Sequence, residues 1–376
     1  RPRVTLRMLA VAVALAMSLL GFTAGFVPTA QAAPAASTDS VVQRSTLNRI
    51  KALLPADVTA KVAELRRQAD VIDPTQYKCG PTSLNAWVEQ RVARWSTTDR
   101  LLVQLIGLDA YPTLDVTLFG HVNDSFYEPR IQADQVRDAF TRSGAFWESA
   151  SDDTILLGMH SDMTRSPAKV ARIGAAVFGL GDDEAHLFGT LVAGYVRLSP
   201  GFERGRTPLF SFNAYAQPGL DETSPAMVVM GDGMLQAYDA LGYGDVAGAF
   251  ITAHEVGHTV QMRAGLFDDH SGEPEETRYT ELMADAMSAY ALAHPRGLGL
   301  DERRVDHFVA VAYAIGDCAF DAGGHHGTPN QRARAAQWAA AVSDAASPAG
   351  RVLTFGEFKS AFDAAYPNLI APDATT

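Results

Sequence analysis

The sequence predicts an α+β fold, with a small mixed sheet ahead of a largely helical C-terminal part. Apolar runs of strand length, bounded by turn residues, occur before residue 234, at residues 114–118, 154–160, 208–216 and 225–233. After Asp232 nearly all residues follow helical periods separated by Gly and Pro, at residues 233–241, 246–264, 276–293, 301–318, 329–345 and 354–364. Helical periods also occur earlier, at residues 41–69, 81–95, 99–109, 133–142, 167–178 and 182–196.

The N-terminal residues have the pattern of an export signal. Three Arg are followed by an apolar run, Met8 to Phe22, that is too short to span a membrane, and Ala30-Gln31-Ala32 fits a small-x-small cleavage site. We therefore predict a secretory signal peptide and a secreted, extracellular protein, with a retained anchor as the alternative. The remainder divides into a helical N-terminal region with a potential regulatory role, a mixed α/β subdomain and a helical C-terminal subdomain, at residues 33–110, 111–235 and 236–376.

Charge narrows the range of partners. The chain has 31 basic and 43 acidic side chains, and removal of residues 1–32 takes away three Arg and no acid, which leaves a net charge of −15. An acidic surface argues against nucleic acid and anionic membranes as partners. We expect neither nucleic-acid binding nor stable membrane insertion after signal cleavage.

The motif His254-Glu255-Val256-Gly257-His258 carries the clearest chemical information. Two His at positions i and i+4 of a helix lie on one face, so both rings can bind one metal ion, and zinc is the ion that such sites hold. Glu255 lies beside them and can act as general base toward water that the metal activates. The motif predicts a metal-dependent hydrolase.

A catalytic zinc needs a third protein ligand, and Glu281 is the best candidate. It lies 23 residues after His258 in a segment of strong helix formers, whereas the alternatives Glu273, Glu275 and Glu276 crowd a segment that contains Pro. Asp285 follows one helical turn later. Its carboxylate can accept a hydrogen bond from the far nitrogen of a ligating His and so orient the ring.

Three ordered motifs give the chain its family resemblance. HExGHxxQ at His254 to Gln261, ExxAD at Glu281 to Asp285 and HGTxxQR at His326 to Arg332 resemble the bacterial family of neutral zinc metallopeptidases, which are gluzincin-like. The likeness covers roughly residues 225–345. One departure is Thr259, where the family often has a second His.

The resemblance implies a zincin-like fold and zinc-dependent peptide hydrolysis, so a peptide or protein is the expected substrate. It also implies that the strand at residues 225–233 is an edge strand that pairs with extended substrate. His326 and Arg332 become the favoured donors to the oxyanion, with Tyr290 and Tyr313 as further candidates. The alternative function is that of a zinc-binding surface or interaction protein without catalysis.

Cys79 and Cys318 are the only cysteines, and in an exported chain we expect them to form a disulfide. Two alternatives remain open. The segment Tyr77 to Leu84 resembles the nucleophile segment of papain-like, bacteriocin-processing cysteine peptidases, in which His121 or His160 would be the base. Lys78-Cys79-Gly80 also resembles the inhibitory switch peptide of matrix metalloproteases. Both alternatives fail if the two cysteines are joined.

Overall fold

The computed structural model describes residues 41–55, 58, 72–148, 154–221, 223–268, 273–321, 324–346 and 350–374. The predicted signal peptide, residues 1–32, lies outside these residues. The described part is mostly helical and contains one three-stranded sheet, which confirms the α+β class.

Helices occur both before and after the sheet. In chain order they are α1 (Val41–Lys51), α2 (Ser83–Val92), α3 (Thr97–Ile106), α4 (Tyr111–Phe119), α5 (Ala133–Phe146), α6 (Pro167–Phe178), α7 (Asp182–Leu198), α8 (Asp232–Ala240), α9 (Ala247–Arg263), α10 (Pro274–Ala293), α11 (Glu302–Ile315), α12 (Pro329–Ala346) and α13 (Phe355–Leu369). The C-terminal succession α8 to α13 agrees with the helical periods of the sequence.

The sheet consists of β1 (Thr154–Met159), β2 (Ala214–Gln217) and β3 (Ala226–Gly231) in the order β1-β3-β2. Strand β1 is parallel to β3, with Leu156 opposite Val228, and β2 is antiparallel to β3, with Ala216 opposite the same Val228. One face of the sheet packs against the metal-motif helix α9 and the other against α4.

The prediction that residues 225–233 form an edge strand is wrong. Strand β3 is central, because β1 and β2 occupy both of its hydrogen-bonding edges. Among the described strands the edge next to α9 belongs to β2, which contacts that helix. The local sequence predicts that a strand forms, but it does not show which strands pair with it. The position of a strand within a sheet therefore could not be predicted from the local sequence.

Two other strand predictions need correction. Residues 114–118 belong to helix α4, and their polar residues are buried with partners: Asp115 accepts hydrogen bonds from Tyr127 and Arg172. The alternation of apolar and polar residues therefore did not mean that one side of this segment faces solvent. In the 208–216 segment, Pro208–Ser211 is a 3-10 turn and only the part from Ala214 is strand. Proline fixes φ and lacks an N–H donor, which suits the start of that turn.

Helix α9 is enclosed by its neighbours. It packs against α5, α10, β2 and β3, and every residue from Ala247 to Gln261 is buried. Its first N–H groups are satisfied by another helix, because Gln132 and Gln135 accept hydrogen bonds from the backbone N–H groups of Gly248 (2.9 Å) and Ala249 (3.0 Å). The residues of the motif therefore lie in the buried part of this helix.

The described helices were also compared with the requirements of a membrane span. No single one of them is long and apolar enough to cross a bilayer. The pair Thr97–Ile106 and Leu108–Phe119, bent by 67°, meets the test together by length and composition only.

Phe308 of α11 stacks on Phe250 of α9, with ring centroids 5.7 Å apart, and is fully buried. We expect Phe308→Ala to lower the free energy of unfolding by about 3–5 kcal/mol, because it removes a large buried side chain and leaves a cavity. Urea unfolding followed by circular dichroism measures the change. Leu198→Ala, at a position that is 66% exposed, is the control and should change stability by less than about 0.5 kcal/mol. Equal losses in the two variants would contradict the assigned core.

Candidate metal centre

Three side chains from two packed helices meet at one point. Helix α9 supplies His254 and His258, one turn apart, and α10 supplies Glu281. All three are buried, and each offers one ligand atom within 4.8 Å of the others. Glu281 is thus the acid that joins the two imidazoles, as predicted, whereas Glu275 contacts Arg278 and Tyr366 instead.

The spacing of the donor atoms matches a tetrahedral ion. The Nε2 atoms of His254 and His258 are 3.0 Å apart, and the two Glu281 carboxylate oxygens lie 3.3 Å from them, Oε2 from His254 Nε2 and Oε1 from His258 Nε2. Two ligands about 2.0–2.1 Å from a tetrahedral zinc ion are separated by roughly 3.3 Å. The donor atoms of each pair of these side chains are therefore separated by about the distance that a shared ion requires, and the group can hold a metal ion.

Both rings are oriented through their far nitrogens. His254 Nδ1 lies 2.9 Å from Asp285, and His258 Nδ1 lies 2.8 Å from the Gln261 amide oxygen. Each of these oxygens can accept a hydrogen bond from Nδ1–H, which leaves the Nε2 lone pair available for an ion. Gln261 in turn donates to the Thr280 carbonyl (2.9 Å), which ties this arrangement to α10.

Arg332 acts on the centre through Asp285. Its Nε and Nη2 each donate to one Asp285 oxygen at 2.7 Å, and Nη2 also lies 3.8 Å from Glu281. The guanidinium is buried, and its ion pair with Asp285 holds the pKa of Asp285 below its usual value even though burial opposes this. Arg332 thus fixes the carboxylate that orients His254.

The metal-free site stabilises positive charge. Burial alone would lower the pKa of His254, but its hydrogen bonds to Asp285 and Glu281 raise this pKa to about 10. Burial would also raise the pKa of Glu281, but His326, His258 and His254 hold it well below its usual range. A metal cation that binds here would have to displace this proton.

Glu255 has the surroundings of a general base. It is buried, and burial raises its pKa above the usual value against the opposing effect of the two His. Its Oε2 has no hydrogen-bond partner among the described residues. Glu255 lines a cavity of about 10 Å³ with His254, Glu281 and Ala214, the first residue of β2, which is the space that about one water molecule needs.

Asp285 and His254 form one carboxylate–imidazole dyad. A second dyad, formed by Asp317 and His326, lies beside the candidate metal ligands, in the segment between α11 and α12. Asp317 accepts a hydrogen bond from the His326 backbone N–H (2.9 Å) and lies 3.0 Å from His326 Nδ1 and 2.5 Å from His325 Nδ1. Although burial opposes it, the two His hold the pKa of Asp317 well below its usual range. His326 Nε2 is buried and has no partner within the described part of the chain.

The local structure explains the HGTxxQR motif. Gly327 has φ +105°, a conformation that disfavours other residues and turns the chain directly after His326. Thr328 and Gln331 exchange hydrogen bonds in a capping box at the start of α12, where Pro329 is the first residue. The motif thus ends a loop, caps a helix and delivers Arg332 to Asp285.

Tyr290 and Tyr313 are the other two candidate donors to the oxyanion, and both make contacts of a structural kind. Tyr290 is buried and its hydroxyl accepts a hydrogen bond from the Leu353 backbone. Tyr313 is 45% exposed and lines a groove with Thr82 and Arg334, whereas Val311 and Ile315 of the same helix line the cavity beside the metal ligands. The hydroxyl of Thr259 donates within α9 to the Val256 carbonyl.

Cys79 and Cys318 are joined in a disulfide, as predicted. The sulfur of Cys79 is therefore neither a free nucleophile nor a metal-binding thiolate, so neither alternative for this cysteine applies to the structure. Thr82 of the same segment caps α2. His160 is buried between Asp232 and the Glu128 carbonyl, and His121 is exposed beside Tyr127.

Comparison of the chain with protein-family models, with curated proteins and with solved structures finds no match. The residues of the site therefore carry the functional argument on their own. Two of them, Gln261 and Asp317, were not singled out by sequence reasoning. The role of Gln261 could have been predicted, because this residue lies three positions after His258 on the same face of the helix. Asp317 lies in an irregular segment without such a periodicity.

Metal binding should release a proton in the neutral pH range. Because the pKa of His254 is about 10, the metal-free site keeps a proton there until the ion displaces it. We expect release of about one proton per ion at pH 7.5 and an apparent affinity that rises about tenfold per pH unit below pH 10. Calorimetry in two buffers of different ionisation enthalpy measures this. Heats that do not depend on the buffer would contradict it.

The same pKa has a consequence for the stability of the metal-free fold. Because this pKa is higher in the folded state, the proton on His254 increases the free energy of unfolding. The increase is complete below pH about 6.5 and is lost as the pH rises through about 10.

Asp285→Asn should weaken metal binding by about 10- to 100-fold, because it removes the charge that orients His254 and pairs with Arg332. Competition with a chromophoric chelator measures the dissociation constant. Asp245→Asn is a matched control, since Asp245 also lies 2.9 Å from a His Nδ1, that of His307, away from the site. Similar losses in both variants would show that Asp285 has no special role.

Proposed function

We propose that this protein is an exported zinc-dependent peptidase. The observation that carries the proposal is the cluster of donor atoms formed by His254, His258 and Glu281, beside a small cavity that Glu255, whose Oε2 has no partner among the described residues, lines with His254 and Glu281. Two imidazoles and one carboxylate are a ligand set typical of catalytic zinc, which keeps a further position open.

The charges at the site also fit a divalent cation. Glu255, Glu281 and Asp285 are buried, and Arg332 is the one guanidinium that pairs with this group in the described structure. With both His neutral, the four side chains carry two net negative charges. Buried charges that lack compensation are costly, and Zn²⁺ would balance these two.

When bound, Zn²⁺ supplies Lewis acidity that polarises the scissile carbonyl and makes water a better nucleophile. Glu255 accepts a proton from the attacking water and passes it to the leaving amine. Its raised pKa brings it closer to neutrality, which suits a group that must both take and return a proton.

The second dyad supports peptide hydrolysis as the reaction. Attack on a peptide carbonyl develops negative charge on oxygen, and a positioned N–H donor stabilises that charge. The buried Nε2 of His326, which has no partner among the described residues, can act as such a donor when it carries a proton, and Asp317 fixes the ring through Nδ1. Arg332 Nη1 likewise has no hydrogen-bond partner in the described part of the chain, although Nε and Nη2 of this side chain both donate to Asp285.

The sheet offers a way to hold an extended substrate. Strand β2 is at the edge beside α9, and Ala214 at its start lines the cavity with His254 and Glu255. A peptide that adds to this edge would bring a backbone carbonyl toward the metal ligands. The acidic surface and the predicted export signal agree with a peptide substrate outside the cell, where disulfides persist.

Glu255→Gln should retain zinc and lose peptide hydrolysis by about 10²- to 10⁴-fold, because the amide cannot accept the proton from water. The measurements are zinc content and cleavage of a quenched peptide library, with and without chelator. Glu89→Gln, at an exposed position of α2, is the control for loss of one carboxylate and should cleave as the wild type does.

A Glu255→Gln variant that keeps zinc and cleaves at the wild-type rate would refute the proposed base. A zinc-loaded wild-type protein that cleaves no peptide would favour the alternative of a binding protein without catalysis.

A further inference from the structure

The disulfide is adjacent to the dyad that the proposed reaction uses. Cys318 directly follows Asp317, in the segment 316–328 that joins α11 to α12 and of which residues 316–321 and 324–328 are described. The described residues of this segment form no helix or strand. Asp317 is held there by hydrogen bonds from the segment itself, including those of His326 and Ala319, and its own N–H donates to the Gly327 carbonyl.

The other half of the disulfide belongs to a segment with an independent anchorage. The Lys78 N–H donates to Asp373 (2.7 Å), which also accepts from Asn330 (2.8 Å). Three residues after Cys79, the Thr82 hydroxyl donates to the Ala314 carbonyl in α11 (2.8 Å). Cys79 therefore offers a fixed point on the helical body to which the irregular segment is tied.

Noncovalent contacts also join the segment before Cys79 to the segment that contains Cys318. Together with the disulfide they form one junction. The Ile72 N–H donates to the Phe320 carbonyl (2.9 Å), and the Tyr77 ring stacks on Phe320 at 6.0 Å. Phe320 contacts His325, with ring centroids 5.0 Å apart. The disulfide is the covalent member of this junction and the one next to Asp317.

The metal ligands do not depend on this junction. His254 and His258 belong to α9 and Glu281 to α10, and both helices are embedded in the largest core. Release of the segment would therefore alter the position of Asp317 and His326 while the three ligands stay in place.

We propose that the Cys79–Cys318 disulfide is a positioning device for the Asp317–His326 dyad, so that the oxidised protein is the fully active form and reduction lowers turnover without loss of metal. The proposal rests on the proposed function, in which His326 stabilises the oxyanion. Cys318 is exposed, so a redox partner can reach its sulfur.

The redox step is thiol–disulfide exchange with a dithiol protein or small dithiol. One thiolate of the reductant attacks Cys318 Sγ, which forms a mixed disulfide and releases Cys79 as a thiolate that takes up a proton. The second reductant thiolate then attacks the mixed disulfide, which frees Cys318 and leaves the reductant oxidised. The reverse sequence, with a disulfide donor as oxidant, forms the bond and activates an exported chain.

The test compares the oxidised protein with protein reduced by a phosphine, at a temperature at which circular dichroism shows both to be folded. Alkylation and mass measurement verify the thiol state. We expect kcat to fall roughly tenfold to hundredfold, since small misplacements of catalytic groups have effects of this size. The Michaelis constant and the zinc content should stay within twofold. Reoxidation should restore kcat.

Two variants separate positioning from general stabilisation. The double variant Cys79→Ser/Cys318→Ser should have the low kcat of the reduced protein and should not respond to reductant. In Asp317→Ala, reduction should change the remaining kcat less than about twofold, because both changes act through the same group. Hydrogen exchange should become faster in residues 316–328 on reduction and stay unchanged in α9.

The outcomes distinguish the two proposals. If the oxidised, zinc-loaded protein cleaves no peptide, the proposed function fails and this proposal with it. If it cleaves peptides and full reduction leaves kcat unchanged, only the role of the disulfide is refuted. Loss of zinc in parallel with activity, or a full effect of reduction in Asp317→Ala, would show a general structural bond and would also overturn the positioning role.

Discussion

The structure depends on the compensation of charge buried between α9 and α10. Asp285 is fully buried, yet it binds a guanidinium on one side and an imidazole on the other. Removal of one member of such a network leaves an unpaired charge in a medium of low dielectric constant, which is far more costly than the network itself. This constraint sets the identities of His254, Glu281, Asp285 and Arg332 together, and it explains why three separate motifs belong to one site.

The sequence predicted best the features with a local periodic signal. The helices that carry the site, the ligand Glu281, the orienting Asp285 and the disulfide all agree with the structure. Residues that share one face of a helix can be recognised by their spacing, and two cysteines have only each other to pair with inside one chain. The identity of the metal and the reaction itself rest on chemical argument.

The failures of prediction arise where distant segments decide the structure. Residues 114–118 alternate in polarity as a strand does, but Asp115 is buried because Tyr127 and Arg172 supply its partners. Strand β3 is central because β1, some seventy residues earlier in the sequence, pairs with it. Asp317 was missed because its role is defined by the two His that fold back onto it. Such partners are set by tertiary packing, which a local pattern does not contain.

The burial of α9 from Ala247 to Gln261 has a consequence for how this fold can diversify. A helix with neighbours on all sides tolerates few substitutions, so its sequence is expected to change slowly during evolution. The edge of β2 and the irregular segments around the site are not bound by that packing requirement. These outer elements can therefore vary in sequence while the buried His254, His258 and Glu281 are inherited unchanged.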